Sequence, residues 1–245
     1  MRVAVLSDIH ANLRALDAIL ARVGAVDGIW QLGDVVGYGP DPDAVVDRLR
    51  KLGAIGVRGN HDLAAVGDDV IRDFNVDARA AMEWTRRTIS PATRDWLAAL
   101  PARLTVGSWS LVHGSQRDPT WEYIVTAVAA AENMALLPSQ YGLFGHTHLP
   151  IAYATAPGSG DPTGLDTLTP LAGSSLPLDD RRALVNPGSV GQPRDGDARA
   201  SALVLDLAAP VVTWIRAEYD IEATQAAMHR ARLPARGISR LTFGI

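Results

Sequence analysis

The 245-residue chain contains no cysteine. Disulfides, thiolate zinc sites, iron–sulfur clusters and cysteine nucleophiles are therefore excluded, and any metal must be held by His, Asp, Glu, Asn or backbone oxygens. Lysine is nearly absent: Lys51 is the only one among 23 basic residues, a compositional bias that carries no functional weight. There is no positive excess either. The 27 acidic residues give a formal charge of −4, which excludes a nucleic-acid coat working by bulk positive charge but not an enzyme acting on one phosphate at a time. No stretch approaches the roughly 20 apolar residues that span a bilayer. The apolar run Val3–Leu6 meets Asp8 and His10 at once; it is too short for a signal-peptide core and lacks a small-residue cleavage site. A cytoplasmic protein without membrane attachment is expected. The chain has no Gly-x-Ser-x-Gly elbow, so no serine nucleophile of that kind is expected. What is present is ordinary for a globular chain, 47% hydrophobic and 20% charged, and long enough to bury a sizeable core.

The first half alternates two periodicities. Val3–Ser7 is a continuous apolar run, the mark of a strand buried on both faces. Leu13, Leu16, Leu20 and Val23 recur at helical spacing. Gly28–Leu32 is strand-like, Pro42 opens a helix with Val45, Val46, Leu49 and Leu52 on one face, and Ala54–Val57 is strand-like again. This β-α-β-α-β order implies parallel strands with covering helices. Residues from about Phe74 to Leu100 read as two helices, with Ser90-Pro91 opening the second and Pro101 ending it; Trp84 and Trp96 there read as packing residues. From Trp109 onward strands dominate: Ser108–Val112, Gly142–Phe144, Ile151–Thr155, Ala183–Val185, Ala202–Asp206 and Val211–Arg216, with one helix near Ala127–Leu137. The Gly-, Pro- and Ser-rich stretch Ala156–Leu178 reads as a long surface loop or a β-hairpin excursion. Asp220 caps a last helix running through Arg232. With no internal repeat and no linker, a single domain over 1–245 is expected.

The chemistry lies where the apolar strands end. Val3–Leu6 runs to Ser7-Asp8-Ile9-His10, Ile29–Leu32 to Gly33-Asp34, Ile55–Val57 to Arg58-Gly59-Asn60-His61-Asp62, Leu111-Val112 to His113-Gly114, and Leu143-Phe144 to Gly145-His146-Thr147-His148. Five of the six histidines occupy these ends; His229, in the last helix, reads as a surface or packing residue. Singly, each motif has a plain structural reading. Asp8-x-His10 can be a helix cap and its neighbour, Gly33-Asp34 a turn, Asn60-His61-Asp62 a polar turn and His113 a satisfied core histidine. Together they are hard to read that way, because the carboxyl ends of strands in open α/β sheets are where sites are built.

Those motifs, in order and with none missing, resemble the signature of the calcineurin-like metallophosphoesterases. The segments Leu32–Pro40 and Val185–Gly196 are further similar to a small bacterial and archaeal phosphodiesterase-like branch of that family. The resemblance implies an α/β fold, a four-layer α/β/β/α sandwich of two mixed sheets; the helical segment at about 74–100 is expected to act as a lid. It implies that Asp8, His10, Asp34 and His148 hold one metal, that Asp34, Asn60, His113 and His146 hold a second with Asp34 bridging, that His61 faces the substrate phosphate, and that Asp62 orients or polarises His61. The implied cofactor is a pair of divalent transition-metal ions. Imidazole and carboxylate donors suit Mn, Fe, Zn or Ni, whereas Mg or Ca prefer oxygen.

Two divalent ions with two aspartates and a bridging hydroxide carry a net charge of about +1, which matches one phosphodiester anion. Such ions stand roughly 3.5–4 Å apart, and their bound water ionises near neutral pH, so a metal-bridging hydroxide can attack phosphorus in line. The expected activity is phosphoester hydrolysis, with phosphodiesters preferred over monoesters by resemblance alone. The alternatives are a phosphomonoesterase or nucleotide pyrophosphatase on the same site, or a non-catalytic scaffold of the same fold. The expected partner is a small phosphoester, a nucleotide among the candidates, and no stable nucleic-acid complex; oligomeric state is not legible. Secondary positions have two readings each: Asn12 as helix cap or phosphate contact, Arg58 as phosphate contact or surface ion pair, Asn186–Arg194 as site rim or plain turn, and Asp118–Tyr123 as leaving-group pocket or packing.

Overall fold

The computed structural model describes residues 1–67, 70–156, 161 and 163–245. Its layers follow from the side-chain alternation of the first strand, β1 (Arg2–Leu6). Val3 and Val5 turn toward one apolar layer, Ala4 and Leu6 toward another, and all four are fully buried, as an unbroken apolar run requires. The next elements are α1 (Leu13–Val23), β2 (Gly28–Gln31), α2 (Pro42–Lys51) and β3 (Ile55–Gly56). β1, β2 and β3 are parallel neighbours. Then come α3 (Asn60–Val66), a 3-10 turn at Val70–Asp73, α4 (Val76–Thr88), α5 (Pro91–Ala99), β4 (Arg103–Val106), β5 (Trp109–Val112), α6 (Ala127–Ala135), β6 (Tyr141–Leu143) and β7 (Pro150–Thr155). The chain closes with β8 (Leu165–Leu168), β9 (Ser175–Pro177), β10 (Ala183–Pro187), β11 (Ala200–Asp206), β12 (Val211–Ala217), α7 (Ile221–Arg230) and α8 (Ala235–Phe243).

Two six-stranded mixed sheets result, ordered β3-β2-β1-β11-β12-β9 and β4-β5-β6-β10-β7-β8. They face each other across a core that includes Val3, Val5, Trp30, Trp109, Leu143, Leu203 and Trp214. Leu16, Ile19, Val45, Leu49 and Met82 cover the outer face of the first sheet from the helical side. α6 covers the second through Ala130 and Met134, against Phe144, Tyr153 and Leu184. This is the expected α/β/β/α sandwich. The expected caps are also present: Asn12 Oδ1 accepts from Ala15 N–H at 3.2 Å, Ser90 Oγ from Thr93 N–H at 3.2 Å and Asp220 Oδ1 from Ala223 N–H at 2.8 Å. Trp84 and Trp96 pack against apolar clusters, as expected.

The structure departs from the sequence reading in three places. The 156–178 excursion, of which residues 157–160 and 162 lie outside the described residues, is a hairpin only in its first part, where β8 returns antiparallel along β7. β8 extends the second sheet beside β7, whereas β9 extends the first beside β12, so the segment passes from one sheet to the other. The Asn60-His61-Asp62 turn is the start of a helix, because the Asp62 carboxylate returns to accept from Gly59 N–H at 2.9 Å. Finally, a further helix, α8, follows Pro234 and folds back on α7 and α4 through Ile238, Leu241, Met228 and Ala81.

Candidate metal centre

β1, β2, β3, β5 and β6 each stop at the same end of the sandwich, and the residues that follow converge. One group forms around Asp8. Its Oδ1 lies 3.3 Å from His148 Nε2 and 3.9 Å from His10 Nε2, the two imidazole nitrogens are 3.2 Å apart, and His10 Nε2 is 3.7 Å from Asp34 Oδ2. A second group forms around His113. Its Nε2 lies 3.4 Å from the same Asp34 Oδ2, 3.1 Å from Asn60 Oδ1 and 3.0 Å from His146 Nδ1. Donor atoms that share an ion at about 2.1 Å stand about 3.0–3.4 Å from one another in octahedral to tetrahedral arrangements. Most of these separations fall in or just outside that range, and Asp34 Oδ2 belongs to both groups. All seven residues expected as ligands are thus brought together, and all are buried.

The hydrogen bonds behind the ligands say which atoms are presented. His10 Nδ1 faces Val36 O at 3.2 Å, His113 Nδ1 faces Leu32 O at 2.8 Å, and His148 Nδ1 faces Gln192 O at 2.5 Å. His146 is turned the other way, with Nε2 3.2 Å from Trp121 O. A carbonyl oxygen accepts only, so each of these ring nitrogens carries the hydrogen, and in the neutral ring the opposite nitrogen directs a lone pair inward. Two inward lone pairs 3.2 Å apart, those of His10 and His148, repel unless a cation lies between them. Asp8 supplies an independent sign. Its Oδ2 accepts from Ser7 Oγ at 2.6 Å and from His146 N–H at 3.1 Å, but its Oδ1 is buried with no partner. A buried carboxylate oxygen left so is costly, and a metal ion is the partner the donor set fits.

The backbone gives up stability for this geometry. Asp8, His10, Asp34, His146 and His148 have φ of 51°, 48°, 51°, 67° and 60°, in the left-handed region, where a non-glycine residue costs roughly 1–2 kcal/mol. Glycines supply the clearance beside them. A Cβ on Gly59 would run into the Asp34 carboxylate, and one on Gly145 into Ser7 Oγ, which is why glycine precedes the ligand in both motifs.

Burial and charge set the protonation of the metal-free centre. Burial pushes Asp8 up to about 6 and His146 down to about 3, and holds His10 and His148 well below the ordinary histidine value. Burial also opposes a charge on His113, but the Asp34 carboxylate, by its charge and its hydrogen bond, outweighs it and raises His113 to about 9. Asp34 is held well below the usual carboxylate range, because His113, His61 and His10 overcome its burial. At pH 7.5 the metal-free protein therefore carries a proton on His113, while Asp8 is ionised and the other ligand histidines are neutral. Loading the centre should release about one proton per chain from the ligands at pH 7.5 and about two at pH 5, where Asp8 is protonated as well, with about one more where a bound water ionises. Affinity should fall about tenfold per pH unit between pH 9 and 6 and more steeply below. Calorimetric titration in buffers of different ionisation enthalpy measures the proton count, and a heat independent of buffer at pH 7.5 would contradict it.

His61 lies beside the ligands, with its ring centroid 4.8 Å from that of His10 and 4.5 Å from that of Tyr38. With His10 and Asp34 it also forms a third group close enough to share an ion, so geometry alone allows it as a ligand. Asp62 does not reach the His61 ring. Its oxygens accept from Val36 N–H at 3.1 Å and Gly59 N–H at 2.9 Å, and His61 Nδ1 instead lies 3.1 Å from Met82 Sδ. The expected polarisation of His61 by Asp62 is corrected accordingly: Asp62 fixes the backbone turn that carries Asn60 and His61.

Asn12 is the cap of α1, and its amide also donates to Gly191 O at 3.1 Å. Arg58 forms no ion pair among the described residues and does not line the cleft. The Asn186–Arg194 turn is more than turn geometry. Asn186 Nδ2 donates to Gly145 O at 2.8 Å, Ser189 Oγ to Asp8 O at 2.8 Å, and Gln192 O holds His148. Trp121 holds His146 through its carbonyl, and the Tyr123 ring stacks on His146 at 4.1 Å. His229 is exposed. The contributions of the Trp121 and Gln192 carbonyls were not readable from side-chain identity, since any residue supplies a carbonyl.

A cleft of about 590 Å³ opens over Asp34, Asn60, His61, His146 and His148. Its far side is formed by Phe74–Ala78 at the start of α4, by Trp121 and Tyr123, and by α8. Among the described residues no helix is long and apolar enough to cross a membrane.

A family model described as the calcineurin-like phosphoesterase superfamily domain matches residues 1–209. An uncharacterised protein of Methanocaldococcus jannaschii is 31% identical over 252 residues, which cover 99% of this chain and 98% of that one. The crystal structure of a metallophosphoesterase from Sphaerobacter thermophilus superposes with a TM-score of 0.89 at 41% identity, covering 100% of this chain and 99% of that chain. A symmetrical bis(5'-nucleosyl)-tetraphosphatase of Pectobacterium carotovorum is 30% identical over 162 residues, 59% of this chain and 54% of that protein. The chain belongs to the calcineurin-like phosphoesterase superfamily.

Proposed function

We propose that this protein is a dinuclear metal-dependent phosphoester hydrolase, acting in the cytoplasm on a small phosphodiester, with nucleotides the leading class. The observation that carries the reading is Asp34 Oδ2, a single buried oxygen within 3.7 Å of His10 Nε2 in one donor group and 3.4 Å of His113 Nε2 in the other. Asp8, His10 and His148 complete the first site and Asn60, His113 and His146 the second. Two divalent ions would supply Lewis-acid polarisation of the phosphoryl group and a water nucleophile at neutral pH.

The chain's own residues do the rest. Asp34 is fixed by His61 N–H, which donates to its Oδ1 at 2.9 Å, so its other oxygen is held toward both sites. His61 stands at the cleft floor to hydrogen-bond the phosphoryl or leaving-group oxygen. The start of α4 overhangs the cleft and limits the bulk of the leaving group. A tetraphosphatase among the relatives supports a nucleotide substrate.

The test is reconstitution with Mn, followed by metal analysis and turnover of bis-p-nitrophenyl phosphate beside p-nitrophenyl phosphate. About two ions per chain are expected, with the bis-ester hydrolysed faster. A fully loaded protein with no turnover on these or on a nucleotide diphosphate is a scaffold of this fold.

A further inference from the structure

The cleft wall opposite the floor is built from arginine. Arg194, Arg236 and Arg240 line it, and none of the three forms an ion pair among the described residues. Arg194 Nη2 donates to Gln192 Oε1 at 2.9 Å, and Arg240 Nη1 approaches the same oxygen at 3.4 Å. Two guanidinium groups thus share one neutral acceptor, while Arg240 Nε also donates to Ile245 O and Arg194 also hydrogen-bonds the Tyr123 hydroxyl. Arg194 Nε is buried without a partner. Gln192 also joins this pair to the metal centre, because its backbone carbonyl holds His148.

Arg236 and Arg240 are one helical turn apart on α8, an i,i+4 like-charge pair that weakens an isolated helix. Arg236 also stands in the first turn of α8, the wrong end for a cation in the helix dipole. Burial, Arg194 and Arg236 together lower Arg240, with Asp77 as the facing acid and Tyr38 alongside. The charge of Arg194, in turn, is felt at His10, His61 and His148. The cations therefore run outward from the ligand histidines: Arg194 first, then Arg240, then Arg236 at the rim. An arrangement that costs local stability and leaves a guanidinium nitrogen unpartnered is explained by an anion that joins it.

Resting on the proposed hydrolase reading, we infer that Arg194, Arg240 and Arg236 form an anion subsite for a second phosphate linked to the one under attack, so that the cleft selects phosphoanhydrides over simple diesters. A phosphodiester such as bis-p-nitrophenyl phosphate satisfies the metal centre but leaves this wall without a partner. A phosphoanhydride fills both. In its hydrolysis a water oxygen bonds to the attacked phosphorus, the bridging P–O bond breaks, and the bridging oxygen leaves with the electron pair on the second phosphate. The proton released from the water passes to that phosphate or to solvent. The arginines neutralise the charge that accumulates there.

The test is calorimetric binding to the purified, metal-loaded protein, using the methylene-bridged analogue of ADP, AMP and inorganic tripolyphosphate, beside the turnover ratio of a dinucleoside tetraphosphate to bis-p-nitrophenyl phosphate. The ADP analogue is expected to bind about tenfold or more tightly than AMP. Arg194→Gln with Arg240→Gln should abolish that preference and lower the turnover ratio by about 30-fold or more. Arg240→Lys should restore part of it. Arg236 is exposed, so Arg236→Gln leaves folding intact and should lower the preference about threefold. Tripolyphosphate binding as tightly as the nucleotide would identify a bare polyphosphate chain as the ligand; weaker binding would identify a nucleotide. Equal affinity for AMP and the ADP analogue, or a preference that survives the double substitution, overturns the subsite. A binding preference in a protein that hydrolyses nothing would leave the subsite standing and remove the hydrolase reading.

Discussion

Asp34→Asn should strip metal from both sites, with content falling from about two ions per chain to below one and turnover of bis-p-nitrophenyl phosphate dropping by more than the ~10- to 100-fold typical of losing an outer hydrogen-bond partner. The substitution is nearly isosteric, and Asn can still accept from His61 N–H with its carbonyl oxygen. That orientation aims an amide NH₂ at the space between His10 Nε2 and His113 Nε2, where Asp34 Oδ2 now stands. One donor atom and one negative charge are then lost from both groups at once. The variant also carries a signature that general misfolding would not produce. His113 is raised to about 9 against its own burial, first by Asp34 and then by Asp8 and the Leu32 carbonyl; without the Asp34 carboxylate the ring should titrate lower. Whatever metal the variant still binds should therefore be taken up with less proton release at pH 7.5 than the wild type shows. Full metal content and wild-type turnover in Asp34→Asn would refute the bridging role.

The convergence of ligands was legible because it is written twice in the sequence, once in residue type and once in position. A strand buried on both faces must be apolar throughout, so the first polar residue after Leu6, Val57, Val112 or Phe144 marks where the chain leaves the sheets. Parallel neighbours such as β1, β2 and β3 leave at the same end. The caps at Asn12, Ser90 and Asp220 were readable for a similar reason, since a short polar side chain ahead of an apolar periodicity has few other uses.

What was not legible depends on groups that carry no label. Backbone carbonyls of Leu32, Val36, Trp121 and Gln192 set the tautomers of four histidines, and their contribution comes from chain path alone. The split of the 165–177 region between two sheets has the same origin: β9 is three residues long and pairs only at the edge of its sheet, too little to bias local composition. The role that the resemblance implies for Asp62 gives way to local geometry: on the first turn of a helix the His61 and Asp62 side chains point apart, and the carboxylate caps the backbone instead. α8 did leave a signal, in Pro234 followed by Arg236 and Arg240 at i,i+4 spacing, but those arginines acquire meaning only when the helix is folded back over the cleft.

His61→Ala should separate binding from chemistry. The four histidines that face the two donor groups each turn their outer nitrogen to a carbonyl oxygen, which accepts only and fixes the tautomer. His61 turns Nδ1 to Met82 Sδ at 3.1 Å. A thioether is a weak acceptor and holds no tautomer, so the ring can place its hydrogen on Nε2 and donate a hydrogen bond when a phosphoryl or leaving-group oxygen arrives. Tyr38, His10 and Phe74 fix the ring plane at centroid distances of 4.5, 4.8 and 4.7 Å, and burial holds the imidazole neutral, down to about 4. These are the surroundings of a neutral hydrogen-bond donor aimed at developing negative charge, and removing one such donor costs about 10²- to 10³-fold. We therefore expect His61→Ala to keep about two ions per chain while kcat falls by about 10²- to 10³-fold. Because His61 N–H, not its ring, holds Asp34 Oδ1, the substitution leaves that support in place. Loss of one ion per chain on the same substitution would instead make His61 a ligand, with His10 and Asp34 as its partners.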